Sequence, residues 1–378
     1  MSPAEAPTRH RVGLIVNPIA GIGGRVGLKG SDGADALRRS LALGGVSEAG
    51  DRARRTLEVL RQLAPEIELI VAPSEMGETP ARAAGFDPCV VGMIVSGATT
   101  AADTRSIAAE MRTAGIELLL FAGGDGTARD VCDAVGRTVT VLGIAAGVKV
   151  YSAVFAINPA RAGELAGAFL HGRAPAREGE VLDLDEDAYR AGRVSPTLHG
   201  YVWSPFRRDS VQGGKEPTPA GERPVADAIA DDIVEHMSAD RPYILGPGTT
   251  THALADRLGL PKTLVGVDVV TREHVMIIDA NEMQLRELVE TRPATIVVTP
   301  IGGQGFLFGR GNPQIGPRVI ACVNRRDIIV VATPTKLAAL QGRPLLVDTG
   351  DPTVDASLIG YLQAVTGYHE RTVYRVSM

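Results

Sequence analysis

Cysteine and aromatic residues are scarce in this chain of 378 residues. The three cysteines, Cys89, Cys132 and Cys322, form no Cys-x-x-Cys pair and no Cys/His cluster, which argues against a zinc site or a disulfide framework. We expect them to be reduced cytosolic thiols. Aromatic residues make up 4% of the chain, so its cores must be built from small aliphatic side chains, as is typical of an α/β protein.

Long apolar runs and clusters of basic residues are also missing. No apolar run reaches the ~18 residues that a membrane span needs, and the segment Met1 to Arg11 lacks the apolar core of a signal peptide. Lysine and arginine are scattered and the net charge is -5, whereas a nucleic-acid-binding surface needs clustered positive charge. We therefore expect a cytoplasmic protein that binds neither membrane nor nucleic acid.

What the chain does have is a glycine turn after a buried strand. Leu118 to Phe121 are apolar without polar alternation, which predicts a strand covered on both faces of a parallel sheet. Gly123, Gly124 and Gly126 follow, and glycines in a turn tolerate positive φ and leave the backbone amides open to a ligand. Thr127 and Asp130 have the spacing of a helix N-cap pair. A helix N-terminus beside such a turn attracts phosphate.

Asp125 is the unexpected member of this turn, because a carboxylate repels the phosphate that the amides attract. Its presence suggests a role as the base that accepts a proton from an attacking hydroxyl, or as a residue that orients Mg²⁺. Asp183 and Asp185 share one face of a predicted strand and are further candidates near Mg²⁺. A bare Gly-Asp-Gly turn is also compatible with a tight loop, and a pair of strand aspartates with a solvated face.

Two more loops follow predicted strands in the first half of the chain. Asn17 opens a glycine-rich loop after the strand Val12 to Val16, and Lys149, Tyr151 and Ser152 lie in the loop after Val139 to Ile144. Ligands of open α/β sheets bind at the carboxyl ends of the strands, so these four residues are candidate phosphate or ribose contacts. The first loop matches neither the dinucleotide fingerprint nor the P-loop.

Three polar, glycine-rich strings occur in the second half, at 246–251, 299–305 and 309–312. Each combines open backbone with hydroxyl, amide or guanidinium donors, which suit the oxygens of nucleotide sugars and phosphates. Each string alone is also compatible with a structural turn. The candidate nucleotide-binding residues are Gly248, Thr249, Thr250, Thr251, Gly302, Gly303, Gln304, Arg310 and Asn312.

The order of these elements predicts two lobes with a nucleotide cleft between them. Residues 1–178 alternate strands and helices and are predicted to form an α/β nucleotide-binding lobe. Residues 179–325 mix extended and helical pieces and are predicted to form a second, partly β-rich lobe. The closing segment, 326–378, is a candidate to return and complete the first lobe.

Taken together, the strings at 123–130, 147–156 and 302–312 resemble the ATP-NAD kinase family over nearly the whole chain. The Gly-Gly-Asp-Gly-Thr turn alone is also similar to that of diacylglycerol kinases and phosphofructokinases. More narrowly, the strings resemble the branch related to the AcoX protein, which is encoded beside acetoin-catabolism genes. The resemblance implies an NAD kinase/phosphofructokinase-like fold, often in homo-oligomers.

The resemblance also implies an activity. It is the Mg²⁺-dependent transfer of the γ-phosphoryl group of ATP to the adenosine ribose 2′-hydroxyl of NAD. Carried onto this chain, Asp125 would be the base, and Gly123, Gly124, Gly126 and Thr127 would hold phosphate; the metal ligands stay unassigned. Because phosphoryl transfer needs mainly alignment and charge neutralisation, a turn of amides, one carboxylate and a metal suffice.

The chain departs from the family pattern at the acceptor side. The usual Asn-Glu pair and the Gly-Ser-Thr-Ala-Tyr string are missing; Asn281-Glu282 occurs late, before a predicted helix, and Thr249 to Thr251 could replace the hydroxyl string. Two alternatives therefore stay open. One is a regulatory protein that binds NAD or ATP without turnover; the other is a lipid kinase, which the lack of a basic amphipathic helix disfavours.

Overall fold

The computed structural model describes residues 9–28, 34–147, 150–184, 196–207, 210–211 and 221–378. These residues form two α/β lobes, each built on one mixed sheet that packs against helices. The alternation of strands and helices in the sequence predicted this fold class, and the prediction is confirmed.

The first lobe contains a sheet of seven described strands: β1 (Arg11–Val16), β2 (Glu68–Val71), β3 (Cys89–Val90), β4 (Leu118–Gly123), β5 (Thr140–Ala145), β6 (Ala176–Leu184) and β7 (Pro196–Pro205). Their order is β3-β2-β1-β4-β5-β7-β6. All neighbours are parallel except β6 and β7, which form an antiparallel pair at one edge. The connecting helices are Ala34–Ala42, Ala49–Leu63, Glu78–Ala83, Ala101–Thr113, Asp125–Val135 and Pro159–Leu170, with a 3₁₀ turn at Ser74–Met76.

Helices cover both faces of this first sheet. Leu14 and Leu120 pack on one face, in the core that includes the helices Ala49–Leu63 and Pro159–Leu170. Ile15 and Phe121 pack on the opposite face, in the core that includes Ala101–Thr113 and Asp125–Val135. Burial on both faces explains why these strands show no polar alternation.

The second lobe contains a sheet of nine described strands: β8 (Tyr243–Leu245), β9 (Asp268–Val270), β10 (Val275–Ile277), β11 (Thr295–Val298), β12 (Phe306–Phe308), β13 (Ile328–Val331), β14 (Leu345–Val347), β15 (Gly360–Gly367) and β16 (Glu370–Ser377). Their order is β10-β9-β8-β11-β13-β15-β16-β14-β12. β8, β11, β13 and β15 are parallel neighbours. The helices are Arg223–His236, Thr249–Leu258, Glu282–Thr291, Pro317–Cys322, Pro334–Ala339 and Pro352–Leu358, with a 3₁₀ turn at Arg325–Asp327.

The closing segment, 326–378, belongs to the second sheet. Val330 of β13 pairs with Ala364 of β15, and β16 pairs with β15 and β14. The expectation that this segment completes the first lobe is therefore wrong. Strand patterns show that a segment is extended, but they do not show which sheet it joins, because that depends on partners distant in sequence.

The first sheet also extends past residue 178. Glu178 of β6 pairs with Trp203 of β7, and Trp203 pairs with Thr140 of β5. The change of pattern that suggested a boundary near residue 178 therefore marks the change from parallel to antiparallel strands within one sheet. The limits of the second lobe as an independent unit stay a prediction.

Candidate functional site

The glycine turn joins β4 to the helix Asp125–Val135. β4 ends at Gly123, Gly124 is the helix N-cap, and Asp125 is the first helical residue. The first hydrogen bond of the helix runs from the Ala128 amide to the Gly124 carbonyl. The amides before Ala128 therefore lack partners within the helix and lie at its positive dipole end, where an anion is favoured.

The predicted capping pair of Thr127 and Asp130 is wrong, because the helix begins earlier. Gly124 takes the N-cap position, which places Thr127 inside the first turn. Asp130 accepts a hydrogen bond of 2.6 Å from Arg105 Nη1. The spacing of a threonine and an acidic residue alone did not show where the strand ends and the helix starts.

Asn17, which follows β1, is bonded to the glycine turn. Its side-chain Nδ2 donates to Thr127 Oγ1 at 3.0 Å, and its backbone N–H donates to the Ala122 carbonyl at 2.9 Å. Thr127 lies close over Gly123, where an added Cβ would be 2.3 Å from Thr127 Oγ1. None of the three glycines of the turn has a positive φ, so Gly123 is required by close packing and not by its backbone angles.

Asp125 holds the loop that follows β5. Its Oδ1 accepts hydrogen bonds from the amide and the hydroxyl of Ser152, at 2.9 and 2.6 Å, and its Oδ2 accepts one from the Tyr151 amide at 2.8 Å. Ser152 is fully buried, and its hydroxyl accepts a hydrogen bond of 3.0 Å from the Leu182 amide. The structure thus brings together Asp125, Tyr151 and Ser152; Lys149 lies outside the described residues.

The pKa of Asp125 is raised above the usual aspartate value. Removal from solvent is the main cause, because it disfavours the charged form. The hydrogen bonds from Ser152 and Tyr151 oppose this increase, and the nearby charge of Asp183 adds to it. A carboxylate has about four acceptor positions, so Oδ2 keeps room for one more donor, such as a substrate hydroxyl.

Few side chains near Asp125 could bind a metal ion. Among the described residues, no group of three or more His, Cys, Asp or Glu side chains is arranged to hold a metal ion. Asp183 pairs with Arg129 at 3.1 Å, and Asp185 lies outside the described residues. Mg²⁺ needs only one or two carboxylates when waters and nucleotide phosphates complete its shell. Asp125 and Asp183 fit that smaller set.

A second polar cluster lies where β8, β11 and β13 end at one edge of the second sheet. Lys336 Nζ donates to Thr250 Oγ1 at 2.9 Å and to Thr299 Oγ1 at 3.0 Å. Thr250 belongs to the helix Thr249–Leu258, whose N-cap is Gly248. An ammonium, two hydroxyls and a helix N-terminus therefore converge at this edge, a combination that suits an anion.

The other residues of the 246–251 string shape this loop. The Thr251 hydroxyl donates to the carbonyls of Gly246 and Gly248 at 2.6 and 2.9 Å, so it is engaged by its own backbone. Gly248 has φ 123° and lies so close to Thr299 that an added Cβ would be 2.8 Å from its methyl carbon. The side chain of Thr249 is exposed and available to a ligand.

The loop after β11 connects the two clusters. Thr299, at its start, contacts Lys336. Gln304, at its end, is buried and donates from Nε2 to the Val150 carbonyl at 2.9 Å, next to the residues that bind Asp125. Its Oε1 has no hydrogen-bond partner among the described residues. The strand ends of the two lobes therefore meet through this loop.

Arg310 bonds the two lobes together instead of lying open to a ligand. It is 1% exposed, and its guanidinium donates to the carbonyls of Ala156 and Ile157 at 3.1 and 2.6 Å. It also pairs with Asp348 at 3.3 Å, and Asp348 pairs with Arg52 of the first lobe at 2.8 Å. Burial lowers the pKa of Arg310 to about 10, with Asp348 opposing that effect and Arg52 adding to it.

The pKa of Arg52, in the same cluster, shifts in the opposite direction. Burial alone would lower its pKa, but the charges of Asp348 and Glu48 outweigh burial and raise it. Each buried guanidinium is thus paired with a carboxylate, as charges removed from water must be.

The remaining candidate residues lie in the strings at 299–305 and 309–312. They are Asn312, Gly302 and Gly303. Asn312 Nδ2 donates to the Leu307 carbonyl at 2.8 Å, and its Oδ1 has no partner among the described residues. The Gly303 carbonyl accepts a hydrogen bond of 2.9 Å from Arg343, and Gly302 precedes it in the turn.

Sequence reasoning missed Lys336, Arg52 and Asp348. A signal for Lys336 was present, since Thr333-Pro334 follows β13 as Thr299-Pro300 follows β11. Nothing local marks Arg52 and Asp348, which are far apart in sequence and meet only in the folded chain.

Two family models match the chain. The ATP-NAD kinase N-terminal domain matches residues 12–174, and the ATP-NAD kinase C-terminal domain matches residues 238–376. Both matches indicate a kinase-type phosphotransferase. The chain belongs to the ATP-NAD kinase family, as the Gly-Gly-Asp-Gly-Thr turn and the later strings predicted. Membership of the acetoin-associated branch stays a prediction.

No curated protein and no solved structure matches the chain. Within the described ranges, none of the helices is long and apolar enough to cross a membrane.

Proposed function

We propose that this protein transfers the γ-phosphoryl group of ATP to the 2′-hydroxyl of the adenosine ribose of NAD, giving NADP. One observation carries the proposal. The Asp125 carboxylate lies at the amide-rich start of a helix, and its Oδ2 keeps one acceptor position after the bond from Tyr151. Family membership supports the kinase chemistry, and NAD as the acceptor is the finer step proposed here.

Asp125 would act as the general base. The acceptor hydroxyl donates a hydrogen bond to Oδ2. It loses its proton to that oxygen as its own oxygen bonds to the γ-phosphorus, while the bond from that phosphorus to the β–γ bridging oxygen breaks and ADP leaves. Burial favours this transfer, because it raises the pKa of Asp125 and makes the carboxylate a stronger base. The amides at the start of the helix stabilise the negative charge on the phosphoryl oxygens.

The surrounding residues would position the reactants. Asn17 holds Thr127 over Gly123 and so fixes the turn. In the second lobe, Lys336 and Thr250 lie at a helix N-terminus, where a phosphate is favoured. Gln304 Oε1, which has no hydrogen-bond partner among the described residues, can accept from a ribose or amide group. Mg²⁺ entering with ATP would neutralise the β- and γ-phosphates, with Asp183 as its protein neighbour, since the acceptor hydroxyl takes the remaining position on Asp125.

A regulatory protein that binds NAD or ATP without turnover is the second candidate. It is favoured by the three hydrogen bonds that Asp125 accepts from its own chain. They give the carboxylate a structural role that requires no catalysis.

Product formation separates these two candidates. The purified protein is incubated with ATP, Mg²⁺ and NAD, and NADP is measured with an NADP-specific dehydrogenase. NADH, diacylglycerol and sphingosine serve as other acceptors, and polyphosphate serves as another donor. NADP formed at many turnovers per chain supports the proposal. Binding of ATP and NAD by calorimetry, without product from any acceptor, would favour the regulatory protein.

The oligomeric state is a further part of the proposal. The family resemblance leads us to expect a homo-oligomer, and sedimentation equilibrium of the active protein measures it directly. A monomer at all concentrations would remove this expectation without affecting the kinase activity.

A further inference from the structure

A cavity of about 570 Å³ lies in the second lobe. Its position follows from the pairing of β13 and β15. Val330 and Val331 pair with Ala364 and Val365, whereas Ile328 and Ile329 pair, among the described strands, only with β11. The two strands therefore separate at the amino-terminal end of β13. The cavity lies in this gap, at the opposite end of β13 from the Lys336 cluster.

Most of the surface that lines this cavity is apolar. Its volume falls within the range of about 300–1,000 Å³ that is typical of small-molecule sites. Side chains from both faces of the sheet contribute, because the gap crosses the sheet between two cores. Most of the lining residues that are less than a tenth exposed are apolar, among them Leu307, Phe308, Val330, Val347, Leu358 and Val376. The charged residue among them, Asp232, is paired with Arg371.

Three arginines line the opening of the cavity and differ in their partners. Arg325 donates to the carbonyls of Ser357 and Ile359, and Arg371 pairs with Asp232 at 2.6 Å. Arg326 also lines the cavity and is exposed. Within the described part of the chain, its guanidinium has neither a hydrogen bond nor an ion pair.

We propose that this cavity binds a single acyl chain with a carboxylate head, that is, a medium-chain fatty carboxylate. The aliphatic walls remove the chain from water, so affinity increases with each buried methylene group. Arg326 at the opening pairs with the carboxylate in the bidentate geometry that a guanidinium provides. The inference is independent of the proposed kinase reaction, because its residues are separate from those around Asp125.

Decanoate and decanol separate the contribution of the carboxylate from that of the acyl chain. Each is titrated into the full-length protein by calorimetry, below the micelle concentration of decanoate. We expect one decanoate per chain, bound about tenfold more tightly than decanol, as a charge-assisted hydrogen bond allows. Arg326→Ala should reduce decanoate affinity to that of decanol and leave decanol binding unchanged. Arg292→Ala, an exposed arginine elsewhere in the second lobe, should change neither.

Filling the cavity gives a second test. Leu362→Trp places a larger side chain at the lining and should abolish binding of both ligands, whereas Leu41→Trp, at an exposed leucine, should not. Circular dichroism and the melting temperature check that each variant is folded. The proposal is overturned if wild type shows no saturable binding, if Arg326→Ala binds decanoate as tightly as wild type, or if a folded Leu362→Trp protein keeps full affinity.

Discussion

Ser152 Oγ lies 2.6 Å from Asp125 Oδ1, and the same hydroxyl accepts a hydrogen bond from the Leu182 amide. One serine thus connects the glycine turn, the loop after β5 and strand β6. Burial raises the pKa of Asp125, and the Ser152 hydrogen bonds limit that increase by stabilising the charged form. Ser152 is therefore a positioning residue that also adjusts the proton affinity of the proposed base.

Ser152→Ala should move the acid limb of the pH–rate profile to higher pH. Loss of the hydroxyl donor raises the pKa of Asp125 further, and the base works only when it is ionised. Losing one hydrogen bond to a charged group is expected to lower the rate on the acid limb about tenfold. Rates of NADP formation from pH 4 to 9 measure it. Ser204→Ala is the control, since the Ser204 hydroxyl is buried without a hydrogen-bond partner among the described residues; an acid limb unmoved by Ser152→Ala would contradict this role.

Gly123→Ala should destabilise the protein and reduce nucleotide binding. The added Cβ would meet Thr127 Oγ1 at 2.3 Å, and forcing a methyl group into a close-packed site costs about 1–3 kcal/mol. Gly50→Ala is the matched control, because its Cβ would meet open space near the start of the helix Ala49–Leu63. It should be neutral or stabilising, by up to about 1 kcal/mol. Urea unfolding and ATP calorimetry compare the two variants, and equal stability would show that the turn can relax.

Asp348→Asn should weaken the contact between the lobes. The carboxylate pairs with both Arg52 and Arg310, each of which is at most 2% exposed. Removing it leaves buried positive charge uncompensated, which typically costs about 3–5 kcal/mol. Chemical unfolding measures the loss. Arg82→Ala breaks an exposed pair with Glu78 and should change stability little, because water screens such a pair. A similarly small loss for Asp348→Asn would mean that the cluster is not important for stability.

Lys336→Met should raise the KM for NAD or ATP and leave kcat nearly unchanged. The ammonium bridges Thr250 and Thr299 at the edge of the second sheet, away from the reacting hydroxyl in this account. A lost charge-assisted contact with a phosphate is expected to raise KM by about tenfold. Steady-state kinetics with each substrate varied in turn identify which one it binds. A fall in kcat at constant KM would instead place Lys336 close to the reacting groups.

The local elements of the first lobe were predictable because their signals lie within the elements. Leu118 to Phe121 form a buried strand, and the glycine turn leads into a helix, as predicted. The helix start was misplaced, because Thr127 and Asp130 have the spacing of a cap although Gly124 occupies that position. Asn281 does cap its helix, with Gln284 completing a capping box. That local role accounts for Asn281.

The relationships between distant segments could not be predicted from the sequence. Strand patterning does not identify partners, so the pairing of β13 with β15 in the second sheet was missed. The same limit applies to Arg52 and Asp348, which meet across the lobes. That Asp125 would lie near the loop containing Ser152 followed from the shared edge of a parallel sheet, but its three hydrogen bonds depend on side-chain positions that only the fold determines.

The most direct test of the central claim is the turnover of Asp125→Asn. With ATP, Mg²⁺ and NAD, we expect NADP formation to fall by about two to four orders of magnitude, the usual effect of losing a general base. Calorimetry should show that ATP still binds, because the amides at the helix start remain. Turnover equal to wild type, with ATP binding intact, would contradict the assignment of Asp125 as the base.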